Sequence, residues 1–167
     1  MAANTGRTVK QWVRFVVDDS AGTLREIPID SINGVGLDRP EVDLTAFQDA
    51  IRGVLTDTPD CTIAITGPFD TSAAQAAAAS GAAPVLSGSH TVLAGIDGKT
   101  VPLSLGVYIG VRHYWETGEP TFGSTSSATS GFICTNYTVN PGDGKYSASF
   151  KMFPGSAAPA WGTAVVT

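Results

Sequence analysis

The sequence predicts a mainly β, turn-rich fold, and three observations support this. Nineteen glycines and ten prolines in 167 residues punctuate the chain too often for a helical bundle and suit strands joined by frequent turns. Several stretches alternate apolar and polar residues with a period of two, the longest spanning residues 101–115. Hydrophobic residues make up 43% and charged residues only 15%, well below the ~25% charged residues of ordinary soluble domains. The length fits one domain over residues 1–167, with an N-terminal segment (1–8) and a C-terminal arm (154–167).

Each element has its own signature. Val9 to Val17 reads as a first strand, the turn cluster Asp18-Asp19-Ser20-Ala21-Gly22 follows, and Leu24 to Ile29 returns as a hairpin. Residues 31–43 form a Gly-, Pro- and Asp-rich loop without a period. Thr45 with Gln48 matches a capping box. Ala46, Phe47, Ala50, Ile51, Val54 and Leu55 then fall in adjacent pairs four apart, which predicts one α-helix over about residues 45–55, flanking the sheet. Cys61, Ile63 and Ile65 alternate with Thr62, Ala64 and Thr66 in a buried strand ended by Gly67-Pro68. The alanine-rich stretch 71–83 reads as a short helix or a mobile segment, since no large side chain anchors a face.

In residues 101–115 the odd positions are Val101, Leu103, Leu105, Val107, Ile109, Val111, His113 and Trp115. A single strand of that length would reach about 50 Å at ~3.3 Å per residue, so either it projects beyond the domain or Gly106 or Gly110 marks a bulge. Phe132 to Val139 and Tyr146 to Met152 form a second hairpin around Asn140-Pro141-Gly142-Asp143-Gly144. The tail with Trp161 reads as an arm that docks on its own domain or on a neighbour.

Charge narrows the function. Residues 1–70 hold eleven Asp/Glu against six Lys/Arg, whereas residues 71–167 hold four of each. So few basic groups argue against gripping nucleic acid by counterion release. The nearly uncharged C-terminal part suits a subunit covered by neighbours. The start of the chain has no apolar run resembling a signal peptide, and no stretch approaches the ~18 apolar residues of a membrane span. Cys61 and Cys134 are expected to be buried free thiols.

Chemistry is harder to place. Gly98-Lys99-Thr100 resembles the end of a phosphate loop, but Leu93 stands where its first glycine belongs, so a turn is the better reading. Asp70-Thr71-Ser72 lacks the second motif of an aspartic protease and fits a cap. Ser89-His90 lacks a nucleophile elbow. His90 and His113 stand apart from any cluster at metal-ligand spacing, and His113 shares the apolar phase of its strand. The sequence therefore yields no catalytic, cofactor or metal residues, and a non-enzymatic role is expected.

Taken in order, Asp43-Leu44-Thr45-Ala46-Phe47-Gln48-Asp49, Arg52-Gly53-Val54-Leu55, Ile63-Ala64-Ile65-Thr66-Gly67-Pro68-Phe69-Asp70, Tyr146-Ser147-Ala148-Ser149-Phe150, Gly155-Ser156 and Trp161-Gly162-Thr163 resemble the tail tube (major tail) proteins of long non-contractile-tailed bacteriophages. The resemblance spans most of residues 10–165 through short degenerate motifs, and the insert at 73–83 departs from it. It implies a β-sandwich or partly closed barrel with one flanking helix. Six copies would form a ring in which long strands build a shared inner barrel, and rings would stack into the tail tube of the virion. The implied partners are further copies of the chain, a tape-measure protein and a tail terminator. DNA would pass without specific binding, past a neutral or acidic lining, and no membrane is involved. Ser104 and Tyr108 become candidates to face the lumen, and Val107 and Trp161 candidates for subunit contacts. The alternatives are a head decoration or tail-terminator subunit, a carbohydrate-binding sandwich using Tyr108, Tyr114 and Trp115, and an enzyme with an unrecognised site.

Overall fold

The computed structural model describes residues 10–75, 85–110 and 120–162. A single 3-10 turn, Lys10–Trp12, leads into β1 (Val13–Asp18). Asp19 then builds the tight turn: its carboxylate accepts the amides of Ala21 and Thr23, both at 2.9 Å, and pairs with Arg25 at 3.0 Å. The chain returns antiparallel as β2 (Leu24–Ile27). This hairpin follows the sequence expectation, except that Lys10–Trp12 precede the strand as a 3-10 turn and the return strand ends at Ile27, short of Ile29; Val9 lies outside the described residues.

Two sheets pack face to face. The first has six strands in the order β12 (Ala160–Gly162), β9 (Thr121–Ser124), β8 (Leu105–Ile109), β1, β2, β7 (Val85–Leu86). The second has four, β10 (Phe132–Asn140), β11 (Lys145–Met152), β6 (Thr62–Pro68) and β3 (Ser31–Asn33). Phe15, Val17, Ile27, Leu105, Val107 and Phe122 from one sheet meet Ile63, Ile65, Ala148 and Phe150 from the other. The Phe15 and Phe150 rings stand 5.3 Å apart across the interface. The result is a β-sandwich with one short helix, and no barrel closes within the described residues.

The helix is not where the apolar periodicity put it. Residues 45–55 are not helical: β4 (Glu41–Asp43) pairs antiparallel with β5 (Val54–Thr56) in a separate two-stranded hairpin. Local bonds explain the difference. Asp43 Oδ1 accepts the Thr45 amide, Asp49 Oδ2 accepts the Ala46 amide, and Thr45 Oγ1 accepts the Gly53 amide at 2.9 Å. Thr45 thus staples the two sides of a turn, where a capping box would have it serve a helix start. The helix among the described residues is α1, Ser89–Ile96, whose Ser89, Val92, Leu93 and Ile96 are buried. That spacing is one helical stripe. Val92, Leu93 and Ile96 belong to the same core cluster as both sheets.

The long alternating segment also differs. Strand β8 begins at Leu105, and residues 101–104 contribute only an isolated bridge from Leu103 to Phe132. Residues 111–115, with His113, Tyr114 and Trp115, lie outside the described residues, as do 76–84 of the alanine-rich segment. Residues 71–75 are irregular.

The second hairpin closely follows its expected limits, with one refinement. The β10–β11 register slips between Cys134 and Asn136, leaving Thr135 as the extra residue of a bulge. Cys134 lies opposite Phe150 and Tyr137 opposite Ala148, so both take the inward phase although they are three positions apart.

Candidate assembly surface

The groups that could do chemistry are occupied structurally. Ser89 Oγ donates to Pro68 O at 2.8 Å and accepts the Asp70 amide at 3.1 Å, so it is a tether between β6 and α1. Asp70 accepts both the amide and the hydroxyl of Ser72, as a cap does, and these bonds hold its carboxyl below the ordinary range. Gly98 turns at φ +65° after α1 and donates to Cys134 O, the turn expected in place of a phosphate loop. His90 Nδ1 lies 2.9 Å from the Tyr137 hydroxyl, with the Phe69 ring 4.9 Å away, inside an aromatic group that also includes Tyr146. Cys61 and Cys134 are buried free thiols, both pushed up to about 11 by burial. Among the described residues no three His, Cys, Asp or Glu side chains gather as a metal site.

Buried polar groups fasten the sandwich. Asp18 Oδ2 accepts the Ser104 amide at 2.7 Å and the Ser126 hydroxyl at 3.3 Å. Desolvation nevertheless raises the Asp18 carboxyl above its ordinary value, against the pull of those bonds. The folded chain therefore binds this proton more tightly than the unfolded chain. The group's contribution to stability falls as pH rises through the interval between the two values, and it stays low above that interval. Asp18→Asn keeps, through its amide oxygen, an acceptor for both the Ser104 amide and the Ser126 hydroxyl. It is expected to be neutral or stabilising at pH 7, with the advantage vanishing near pH 3, as read by urea unfolding at both pH values.

Tyr146 supplies another fastening. Its ring is buried and its hydroxyl donates to Pro28 O at 2.7 Å. The ring has room because Gly67 sits opposite, where a Cβ would stand 3.0 Å from Tyr146 Cε1 and 2.6 Å from Pro28 O. Tyr146→Phe leaves a carbonyl without its donor and is expected to cost about 1–2 kcal/mol in thermal or urea unfolding.

The residues singled out from the sequence divide between interior and surface. Ser104 is 3% exposed, with its hydroxyl 2.9 Å from Ser126 Oγ. Tyr108 is also 3% exposed, opposite Arg14 and Thr121. Val107 is fully buried between Phe15 and Phe122 in its own chain's core. Trp161 is 55% exposed, its ring 5.2 Å from Phe122. It sits on β12, which pairs with β9, so this part of the arm docks on its own domain. Ser156 Oγ reinforces the docking by accepting the Gly131 amide at 3.1 Å.

Among the described residues, two exposed surfaces bear on assembly. The outer face of the four-stranded sheet presents small polar side chains, among them Thr138, Ser147 and Asn136, between Lys145 and Lys151. The other is the β4–β5 hairpin, where every residue from 38 to 60 is exposed. Sequence reasoning missed this second surface because its apolar residues mimic a helix stripe. The signal against a helix was the clustering of Asp43, Thr45, Asp49 and Gly53, which are turn-building residues.

No protein-family model matches the chain, and no curated protein matches it. Among solved structures it is similar to the cap of the anti-feeding prophage, the AFP tube terminating cap, at 10% identity. That match covers 98% of this chain and 95% of that one, with a TM-score of 0.56. It also matches the sheath/tube terminator of an extracellular contractile injection system, PVC, in its extended state, at 9% identity over 89% of this chain and 93% of that one, with a TM-score of 0.49. The first of these matches shows that the two chains share a fold along nearly their whole length.

Proposed function

We propose that this protein is a structural subunit at the end of a phage tail or tail-like tube, a terminator or cap that assembles as a ring. The observation that supports this most is the end-to-end fold match to a tube terminating cap, covering 98% of this chain and 95% of the other at a TM-score of 0.56. A main tube subunit, the expectation drawn from the sequence resemblance, is a neighbouring role; the cap match favours the terminator. The chemistry of the surface agrees with an assembled part. The hydroxyls and thiols described above are tied into the fold, and the open surfaces are a polar sheet face and an apolar hairpin.

In this reading the partners are further copies of the chain and the tube it closes, and the particle is a virion or an injection machine. Ser104 and Tyr108 are buried within the single chain, so a lumen lining falls more naturally on the exposed face bearing Asn136, Thr138, Ser147 and Ser149. Small polar groups there would let a polyanion slide by without holding it. Electron microscopy of the purified protein, alone and added to assembled tubes of the cognate tail, is the test. Closed rings that bind tube ends and stop elongation are expected. Incorporation all along the tube would move the assignment to the tube subunit, and no association with tubes would overturn it.

A further inference from the structure

We propose that the hairpin of residues 38–60 is an intersubunit arm, whose apolar tip seats in the groove lined by Lys10, Val13, Ile29, Ser31 and Ile32 of a second copy. This inference rests on the ring-forming reading above and names the contact that would build the ring. Leu44 is 57% exposed, Ile51 83%, Leu55 63%, and Phe47 is as open as in an extended peptide. Such a cluster of large apolar side chains on one projection marks an interaction surface.

The arm is also built to hold its shape without a partner. Arg52 Nε pairs with Asp43 at 3.2 Å, and Thr45 Oγ1 ties to the Gly53 amide. A preformed arm loses little freedom on docking.

The choice of socket follows from charge and shape. Residues 38–60 contain six acidic residues and two arginines, so the arm holds four of the chain's five net negative charges. A groove at its own root is lined by Asp38 and Asp60 together with Gly34 and Leu37, and would repel it. The groove of about 420 Å³ beside β1 and β3 has a floor of half-buried Val13, Ile29 and Ile32, which extend the core. Its acidic member Asp30 is already neutralised by Lys145 at 2.7 Å, so Lys10 leaves the rim positive. Arm and socket lie on different parts of one chain. Their contact is therefore head-to-tail, the geometry that generates rings.

The test uses the full-length protein and two sets of variants. Static light scattering should find an oligomer for the wild type and a monomer for F47D/I51D. The variant should keep the thermal midpoint of the wild type, because both positions are exposed. Burying one such side chain corresponds to roughly 10- to 100-fold in affinity. Oxidative cross-linking of F47C mixed with I32C should give a disulfide-linked pair that neither variant gives alone; the native thiols are buried. A wild-type monomer, an undiminished F47D/I51D oligomer, or a homodimer of F47C alone would overturn the arm-in-socket contact. Binding of the wild type to tube ends, measured separately, decides the terminator reading whichever way the arm behaves.

Discussion

Phe150→Ala is expected to destabilise the protein by about 3–5 kcal/mol, enough to unfold a domain of ordinary marginal stability. Phe150 is completely buried in the middle of β11, paired with Ile63 on one side and Cys134 on the other. It faces Phe15 across the sandwich, ring to ring at 5.3 Å. Truncation removes this ring contact between the two sheets and leaves a void that the flanking strands, held by ladder bonds, do not close. The tilted ring pair adds about 0.5–1.5 kcal/mol beyond area. Phe150→Leu should recover more than half of the loss. Urea unfolding of the three proteins measures both statements.

The second large effect is expected at Gly34. This residue follows β3 at φ +78°, and a Cβ built there would stand 1.9 Å from Thr62 O and 3.0 Å from Thr62 C. Thr62 opens β6, an interior strand that pairs with both β3 and β11, so the obstruction is main chain that the ladders hold in place. Gly34→Ala therefore combines left-handed strain of about 1–2 kcal/mol with an overlap costing about 1–3 kcal/mol. Gly22 provides the control. It has nearly the same φ, +80°, but nothing within 4 Å of the added atom, so Gly22→Ala should show the conformational part alone. The difference in thermal midpoint between the two variants isolates the overlap. Equal losses would place the strain in the backbone angle only.

How much of this could be read from the sequence depended on whether a local pattern had a competing explanation. The alternation of Tyr146, Ala148, Phe150 and Met152 against a Gly- and Asn-rich turn admits one arrangement, and the β10–β11 hairpin formed as expected. Ile63 and Ile65 did the same for β6. The stripe from Ala46 to Leu55 admitted two readings. Spacing by four favours a helix, but the same side chains can stand on an exposed hairpin once Asp43, Thr45 and Asp49 capture local amides. Periodicity reports which residues share a face and is silent on whether that face is covered.

The true helix had its own stripe, Ser89, Val92, Leu93 and Ile96. Its first member is a serine whose burial depends on bonds to Pro68 and Asp70, which lie about twenty positions earlier in the chain. No local reading supplies them. Val107 shows the same limit at the candidate site. Its apolar phase was plain, yet whether that face met a neighbour or its own second sheet is a tertiary fact, and it is the latter.

The bulge at Thr135 has a genetic corollary. With that extra residue, Asn136 and Thr138 turn to solvent while Tyr137 takes the inward phase opposite Ala148. Cys134 and Asn136 face the consecutive partners Phe150 and Ser149, so removing the codon for Thr135 would restore regular pairing and keep Tyr137 inward and Asn136 and Thr138 outward. Removing a second codon beside it would reverse the parity of everything up to Asn140, sending amide and hydroxyl side chains into the interior and an aromatic out. One in-frame deletion at 135 should therefore be tolerated, and a double deletion should not.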